Sequence, residues 1–213
     1  MDSVKLLGAA LVLGLATSSA HANLLTNGSF EQPGSGCRGA VTTLQGWGVA
    51  GGNIDQIDAI CSQILPADGS YFVDLTGSGS GATISQSFAT AIGTTYSVAF
   101  YFGGNSQWQY LGYPNDSAIK SMNALIGGNL AGTYIIDTTG LAYSDAGWTN
   151  QSFLFTATSA LTTLSFASLN TSGVFGPLLD GVTVEQAKVP EPGTLALLTL
   201  GLAGLGLSRR RKA

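Results

Sequence analysis

Few side chains in this 213-residue sequence are of types that carry chemistry. The one histidine, His21, lies between Ala20 and Ala22 at the end of an N-terminal leader. Once the leader is removed, no imidazole base remains for a serine or cysteine nucleophile, and no histidine remains to ligate a metal. Lysine is the substitute base, but Lys120 and Lys188 are isolated in sequence. Carboxylates alone can hydrolyse a glycoside if an acid and a base or nucleophile stand at a set separation. Asp55/Asp58 and Asp68/Asp74 are the candidate pairs. Asp68-Gly69 is equally turn chemistry, and Asn53 to Asp58 alternates like a strand. The chain is therefore expected not to be an enzyme, with a glycoside hydrolase as the lesser alternative.

Aromatic rings beside amides are the stronger lead. Trp108, Tyr110 and Tyr113 crowd into residues 103–116, a stretch punctuated as loop, among Asn105, Gln107, Gln109 and Asn115. Flat rings offer a sugar ring an apolar platform, and the amides offer directional hydrogen bonds. The alternative is a self-packed loop that tucks its rings over the fold. Trp47, Trp148, Phe100, Phe153 and Phe155 fall on alternating segments and are expected in the core. Gly77, Gly79 and Gly81 lack the closing glycine and the following helix of a phosphate-binding loop.

Cys37 and Cys61 are the only cysteines. In an exported protein they meet an oxidising compartment, where a pair normally closes; two buried free thiols are the other reading. Residues 23–188 hold three basic residues (Arg38, Lys120, Lys188) against ten acidic ones, a net charge of −7. Such a domain has no basic face for a phosphate backbone, which excludes nucleic acid as a partner.

The elements that must position these residues follow period two. Thr95 to Phe102 sets Tyr96, Val98, Phe100 and Phe102 against Thr95, Ser97, Ala99 and Tyr101, as a strand with one face in a core does. Tyr71–Leu75, Ala82–Phe88, Ser121–Ile126, Thr133–Asp137, Trp148–Ala157, Leu161–Leu169 and Leu178–Glu185 are further strand candidates, separated by Gly/Asn/Asp/Ser turns. About eight short strands and no long helix imply an all-β antiparallel sandwich or jelly roll over residues 23–186.

Both ends read as targeting devices. Residues 1–22 have Lys5, the apolar run Leu6 to Ala16 and the Ala20-His21-Ala22 site, the marks of a signal helix that signal peptidase removes before Asn23. Residues 187–213 begin with a linker containing Val189, Pro190, Glu191 and Pro192. An uncharged run from 193 to 207 follows, and then the basic residues Arg209, Arg210, Arg211 and Lys212. As a helix the run is about 22 Å long, against about 30 Å of bilayer hydrocarbon, so it would sit only marginally in a membrane, with its basic end held in the cytoplasm.

Val-Pro-Glu-Pro, a short apolar helix and an arginine cluster behind a signal peptide resemble the PEP-CTERM sorting signal of Gram-negative bacteria. That resemblance implies a transient anchor in the inner membrane, cleavage by an exosortase and transfer to the cell surface or extracellular matrix, where such proteins accompany exopolysaccharide and biofilm.

Within the domain, the telling segments are Asn23-Leu-Leu-Thr-Asn-Gly-Ser-Phe-Glu31 and Gly46-Trp47 near its start. Ala67 to Leu75, Ile84 to Phe88 and Phe153 to Ala157 follow, and Gly176 to Val184 (with Leu-Asp-Gly-Val-Thr-Val) closes it. Together they resemble the choice-of-anchor C family, itself similar to a plant cell-wall family of unknown function and to galactose-binding-like carbohydrate-binding modules. The resemblance implies a galactose-binding-like sandwich that binds polysaccharide without catalysis. A purely structural matrix protein working by protein–protein contact is the alternative. It also implies a structural calcium ion, since a first-strand and a last-strand carboxylate often hold one in those modules; here these are Glu31 and Asp180, hard oxygen donors suited to that ion. Residues 107–129 match nothing recognisable, so no ligand contact carries over there.

Overall fold

A computed structural model describes residues 22–187. Nearly all of the leader expected over residues 1–22 and of the sorting tail expected over 187–213 lies outside the described residues.

Among the described residues, twelve strands run in chain order: β1 (Arg38–Val41), β2 (Thr43–Leu44), β3 (Trp47–Ala50), β4 (Ile54–Asp58), β5 (Tyr71–Asp74), β6 (Thr83–Ala89), β7 (Thr95–Gly104), β8 (Ile119–Ile126), β9 (Asn129–Asp137), β10 (Thr149–Thr156), β11 (Leu161–Ser168) and β12 (Pro177–Gln186). One short helix, α1 (Ala59–Ser62), follows β4, and a 3-10 turn spans Gln107–Gln109. The strands form two six-stranded sheets, ordered β1-β4-β5-β12-β7-β10 and β2-β3-β6-β11-β8-β9. Every pairing is antiparallel. The expected β-sandwich is thus the fold, and all eight strands anticipated from period two are present within a few residues of their expected ends.

Alternation explains how the sheets face each other. On β7, Tyr96, Val98, Phe100 and Phe102 are buried while the residues between them are half-buried. Phe100 reaches across to the other sheet, where its ring lies 4.9 Å from Phe166 of β11 and 5.0 Å from Tyr134 of β9, both edge to face. Such pairs add about 0.5–1.5 kcal/mol each beyond the area they bury. Trp47 lies deeper along the same core, between Phe30 and Phe166. Phe153 and Phe155 pack against this core while partly exposed. Trp148 corrects the core expectation. It lies on the outer face of the first sheet with Phe72, Ile64, Leu178 and Ala146, a second small cluster capped by α1 and the segment after it.

Short strands β1 to β3 had no clear periodic signal, and the segment before them is held by side chains instead. Asn27 accepts from Gln32 N and donates to the carbonyls of Gln32 and Gln45, while Trp47 Nε1 donates to Asn27 O at 3.0 Å. Asn23 pairs with Val182 O and Val184 N, strapping the start of the domain along β12. Register slips on β12 between Asp180 and Thr183, where Gly181 adopts φ +55°, a conformation that side-chain-bearing residues resist. The closing Leu-Asp-Gly-Val motif is therefore a bulge.

Candidate functional site

At one end of the sandwich, the turns after β5, β7 and β11 meet around a buried polar cluster. Asp74, at the end of β5, has no exposed surface. Its carboxylate accepts from Thr76 N at 2.8 Å, Gly176 N at 3.0 Å and Asn105 Nδ2 at 3.0 Å. No side chain fits at Gly176, because a Cβ would come within 2.5 Å of Asp74 Oδ1. Burial pushes the Asp74 carboxyl up to about 7; the three donors oppose this, and the charge of Asp55, its partner across the β4–β5 ladder, adds to it. Lys120 is also fully enclosed. Its ammonium donates to Phe175 O at 2.5 Å and meets Asp116 Oδ1 at 3.4 Å, and Asp116 Oδ2 accepts from Val174 N at 2.9 Å. Burial pulls the Lys120 pKa down, against the pull of Asp116 and Asp74. Together Asp74, Asp116 and Lys120 fasten the 105–118 and 170–176 segments to the sheets.

The aromatic loop is built on this base. Trp108 is half-buried, its Nε1 donating to Thr138 Oγ1 at 2.9 Å. Gln109 Nε2 donates to Thr138 O and its Oε1 accepts from Gly140 N. Gln107 donates to the carbonyls of Ser62 and Tyr143, and Asn105 is spent on Asp74 and Gln107 N. Against the expectation that all seven loop residues face a ligand, the polar atoms of Asn105, Gln107, Gln109 and Trp108 are engaged within the protein. Acceptors on neighbouring loops draw these four inward, where they stiffen the loop. Tyr110 and Tyr113 remain 54% and 47% exposed, and Asn115 is exposed beside them. Tyr110 is held by Leu141 O and by the Tyr143 ring, and Tyr113 stands edge to face with Phe175 at 5.1 Å.

Next to this loop, on the outer face of the first sheet, is a cavity of about 210 Å³. Its walls include Arg38, Gly39, Asp55, Asn105, Gln107 and Phe175, with Cys37 and Cys61 at its edge. Asp55 is half-buried, and burial raises its pKa. Its Oδ1 accepts from Ala40 N at 2.6 Å.

Cys37 and Cys61 form a disulfide with Cα atoms 6.2 Å apart, tying the start of β1 to α1. Asp58 lies near them, but both sulfurs are in the bridge and Asp58 caps α1 through Ile60 N and Cys61 N, so this trio is not a metal centre. The candidate hydrolytic pairs, Asp55/Asp58 and Asp68/Asp74, have other uses for their carboxylates. Asp58 is a helix cap, Asp68 is exposed on a turn and Asp74 is sealed in.

Glu31 and Asp180 converge on one turn. Glu31 Oε1 accepts from Ser70 N and Tyr71 N, and Asp180 Oδ2 accepts from Ala67 N and Asp68 N, each at 2.8–3.0 Å. Burial, reinforced by the neighbouring charge of Asp68, raises the Asp180 carboxyl to about 7. Among the described residues, the one ion pair is Lys120–Asp116, so no side-chain cation neutralises Glu31, Asp68 and Asp180. Glu31 and Asp180 offer only oxygen, the ligand type that calcium takes, and their oxygens are engaged here by backbone N–H groups.

Residues 23–185 match the family model described as a protein of unknown function, DUF642, and residues 188–212 match the PEP-CTERM protein-sorting motif. Kinship with the choice-of-anchor C family remains a resemblance. Halomucin of Haloquadratum walsbyi is 27% identical over 194 residues, a stretch that covers 84% of this chain and 2% of that protein. Two solved structures share the fold. TmCBM61, in complex with beta-1,4-galactotriose, has a TM-score of 0.52 at 18% identity, over 78% of this chain and 99% of that one. The CBM22-1 xylan-binding domain of Paenibacillus barcinonensis Xyn10C has a TM-score of 0.50 at 16% identity, over 80% and 98%.

Proposed function

The chain belongs to the DUF642 family through residues 23–185, and on that footing we propose that it is an exported protein of the cell surface or extracellular matrix that binds polysaccharide without cleaving it. The observation that carries this reading is the loop of residues 105–116, in which Asn105, Gln107 and Gln109 are used internally and Tyr110 and Tyr113 are presented on the frame they make. Rigid aromatic anchors bind with little loss of conformational freedom. A fold shared with a galactotriose-bound module and a xylan-binding domain supports it, as does the sorting motif. In this reading signal peptidase and an exosortase process a chain held briefly in the inner membrane of a Gram-negative bacterium. Glu31 and Asp180 hold a structural calcium ion at the 67–71 turn. The test is a pull-down of the secreted protein on exopolysaccharide from the producing cells, with Tyr110→Ala/Tyr113→Ala as control. Retention of wild type and loss of the double variant are expected; wild type in the unbound fraction refutes the proposal.

One observation favours a second reading, a matrix protein that works by protein contact. Strands β9 and β10 are both sheet edges, and Leu130, Ile135 and Leu154 on them are 61–66% exposed. Bare apolar edges invite pairing with another chain. Concentration-dependent assembly without glycan retention would favour this reading over the first.

A further inference from the structure

Resting on the polysaccharide reading, we infer that the cavity between the Cys37–Cys61 bridge and the 105–109 segment receives a single neutral sugar residue of the chain, with Asp55 and Arg38 pairing its hydroxyls and Phe175 as its apolar wall.

Size sets the first limit. At about 210 Å³ the cavity falls below the roughly 300–1,000 Å³ of pockets that enclose drug-sized ligands. It has room for about one sugar ring. Chemistry sets the second. Asp55 Oδ1 is used on Ala40 N, and its Oδ2 has no hydrogen-bond partner among the described residues. Arg38 gives one N–H to Gln56 Oε1 at 3.3 Å, leaving the rest of its five donors. A carboxylate that accepts beside a guanidinium that donates matches adjacent hydroxyls, which do both. An acidic sugar would face Asp55 with Asp74 behind it, and a cationic one would face Arg38, so the neutral ring is favoured.

The walls are preformed. The disulfide fixes the β1 side, and Gln107 clamps the opposite side to Ser62 O and Tyr143 O. Phe175 also stands edge to face with Tyr113, so one wall of the cavity adjoins the exposed aromatic surface.

Gly39 supplies a direct test. It lines the cavity, its φ is not positive, and a Cβ there would meet only Asp55 Oδ1, at an ordinary 3.6 Å. Gly39→Leu should fill the cavity without moving the backbone. Asp55→Asn, which can still accept from Ala40 N, is the isosteric partner variant should the first fail to fold. Binding of the full secreted chain is measured by calorimetry against exopolysaccharide from the producing cells, with galactose, glucose and xylose as competitors. The expected result is a tenfold or greater loss in both variants, with unchanged circular dichroism, and complete displacement of wild type by one of the monosaccharides. If both variants bind within twofold of wild type, or if only longer oligosaccharides compete, the subsite inference fails while polysaccharide binding stands. No binding by wild type overturns the proposed function and this inference together.

Discussion

At the scale of single residues, two enclosed ionisable groups dominate the loop end of the sandwich. Lys120 is buried against Asp116 and the Phe175 carbonyl. Removing one member of a buried pair leaves the other charge uncompensated, typically at a cost of about 3–5 kcal/mol. Lys120→Met should therefore destabilise by that amount in denaturant titration, and Lys120→Met/Asp116→Asn should recover part of the loss. Asp74 acts through pH. Its folded pKa of about 7 lies above the ordinary aspartate value of 3.8, so between these values the folded state binds more protons than the unfolded state. Its contribution to stability is thus fully present below about pH 4 and is lost as pH rises through 7. Urea midpoints of wild type should fall across that window relative to Asp74→Asn; parallel pH profiles for the two proteins would contradict it. Neither group's role was legible in sequence. Lys120 stood only as an isolated cation, and the coupling of Asp74 to Asp55 depends on the β4–β5 register, which no local pattern encodes.

At the scale of elements, period two revealed the long strands because their burial is one-sided, as on β7 and β11. It missed β1 to β3 because those pieces are only two to four residues long, and β2 and β3 each give the core a single large side chain, Leu44 or Trp47, too little for an alternation to show. The aromatic loop was visible as a composition, but the direction of its side chains was not. Gln107 turns inward because acceptors at Ser62 and Tyr143, 45 and 36 residues away, become its neighbours only after folding. For the 67–71 turn, calcium should raise the thermal midpoint, because a ligand bound only by the folded state stabilises it by mass action. A chelator should lower the midpoint of wild type and leave Asp180→Ala unaffected. Equal midpoints of wild type with and without calcium would assign Glu31 and Asp180 to the turn amides alone.

On the scale of the whole molecule, an acidic sandwich sits between two segments that read as export and sorting signals, and the second of these matches the PEP-CTERM motif over residues 188–212. In a host with an exosortase, terminal peptide analysis of surface protein should find a start at Asn23 and no residues Arg209 to Lys212. Surface protein that still ends at Ala213 would mean a simple anchor. The central claim is that this molecule holds polysaccharide and leaves it intact, and its most direct test is calorimetric titration of the secreted protein with exopolysaccharide from the producing cells, followed by assay of reducing ends. Saturable heat with no increase in reducing ends is the predicted result; a folded protein that gives no heat across the titration, or one that releases new reducing ends, would contradict it.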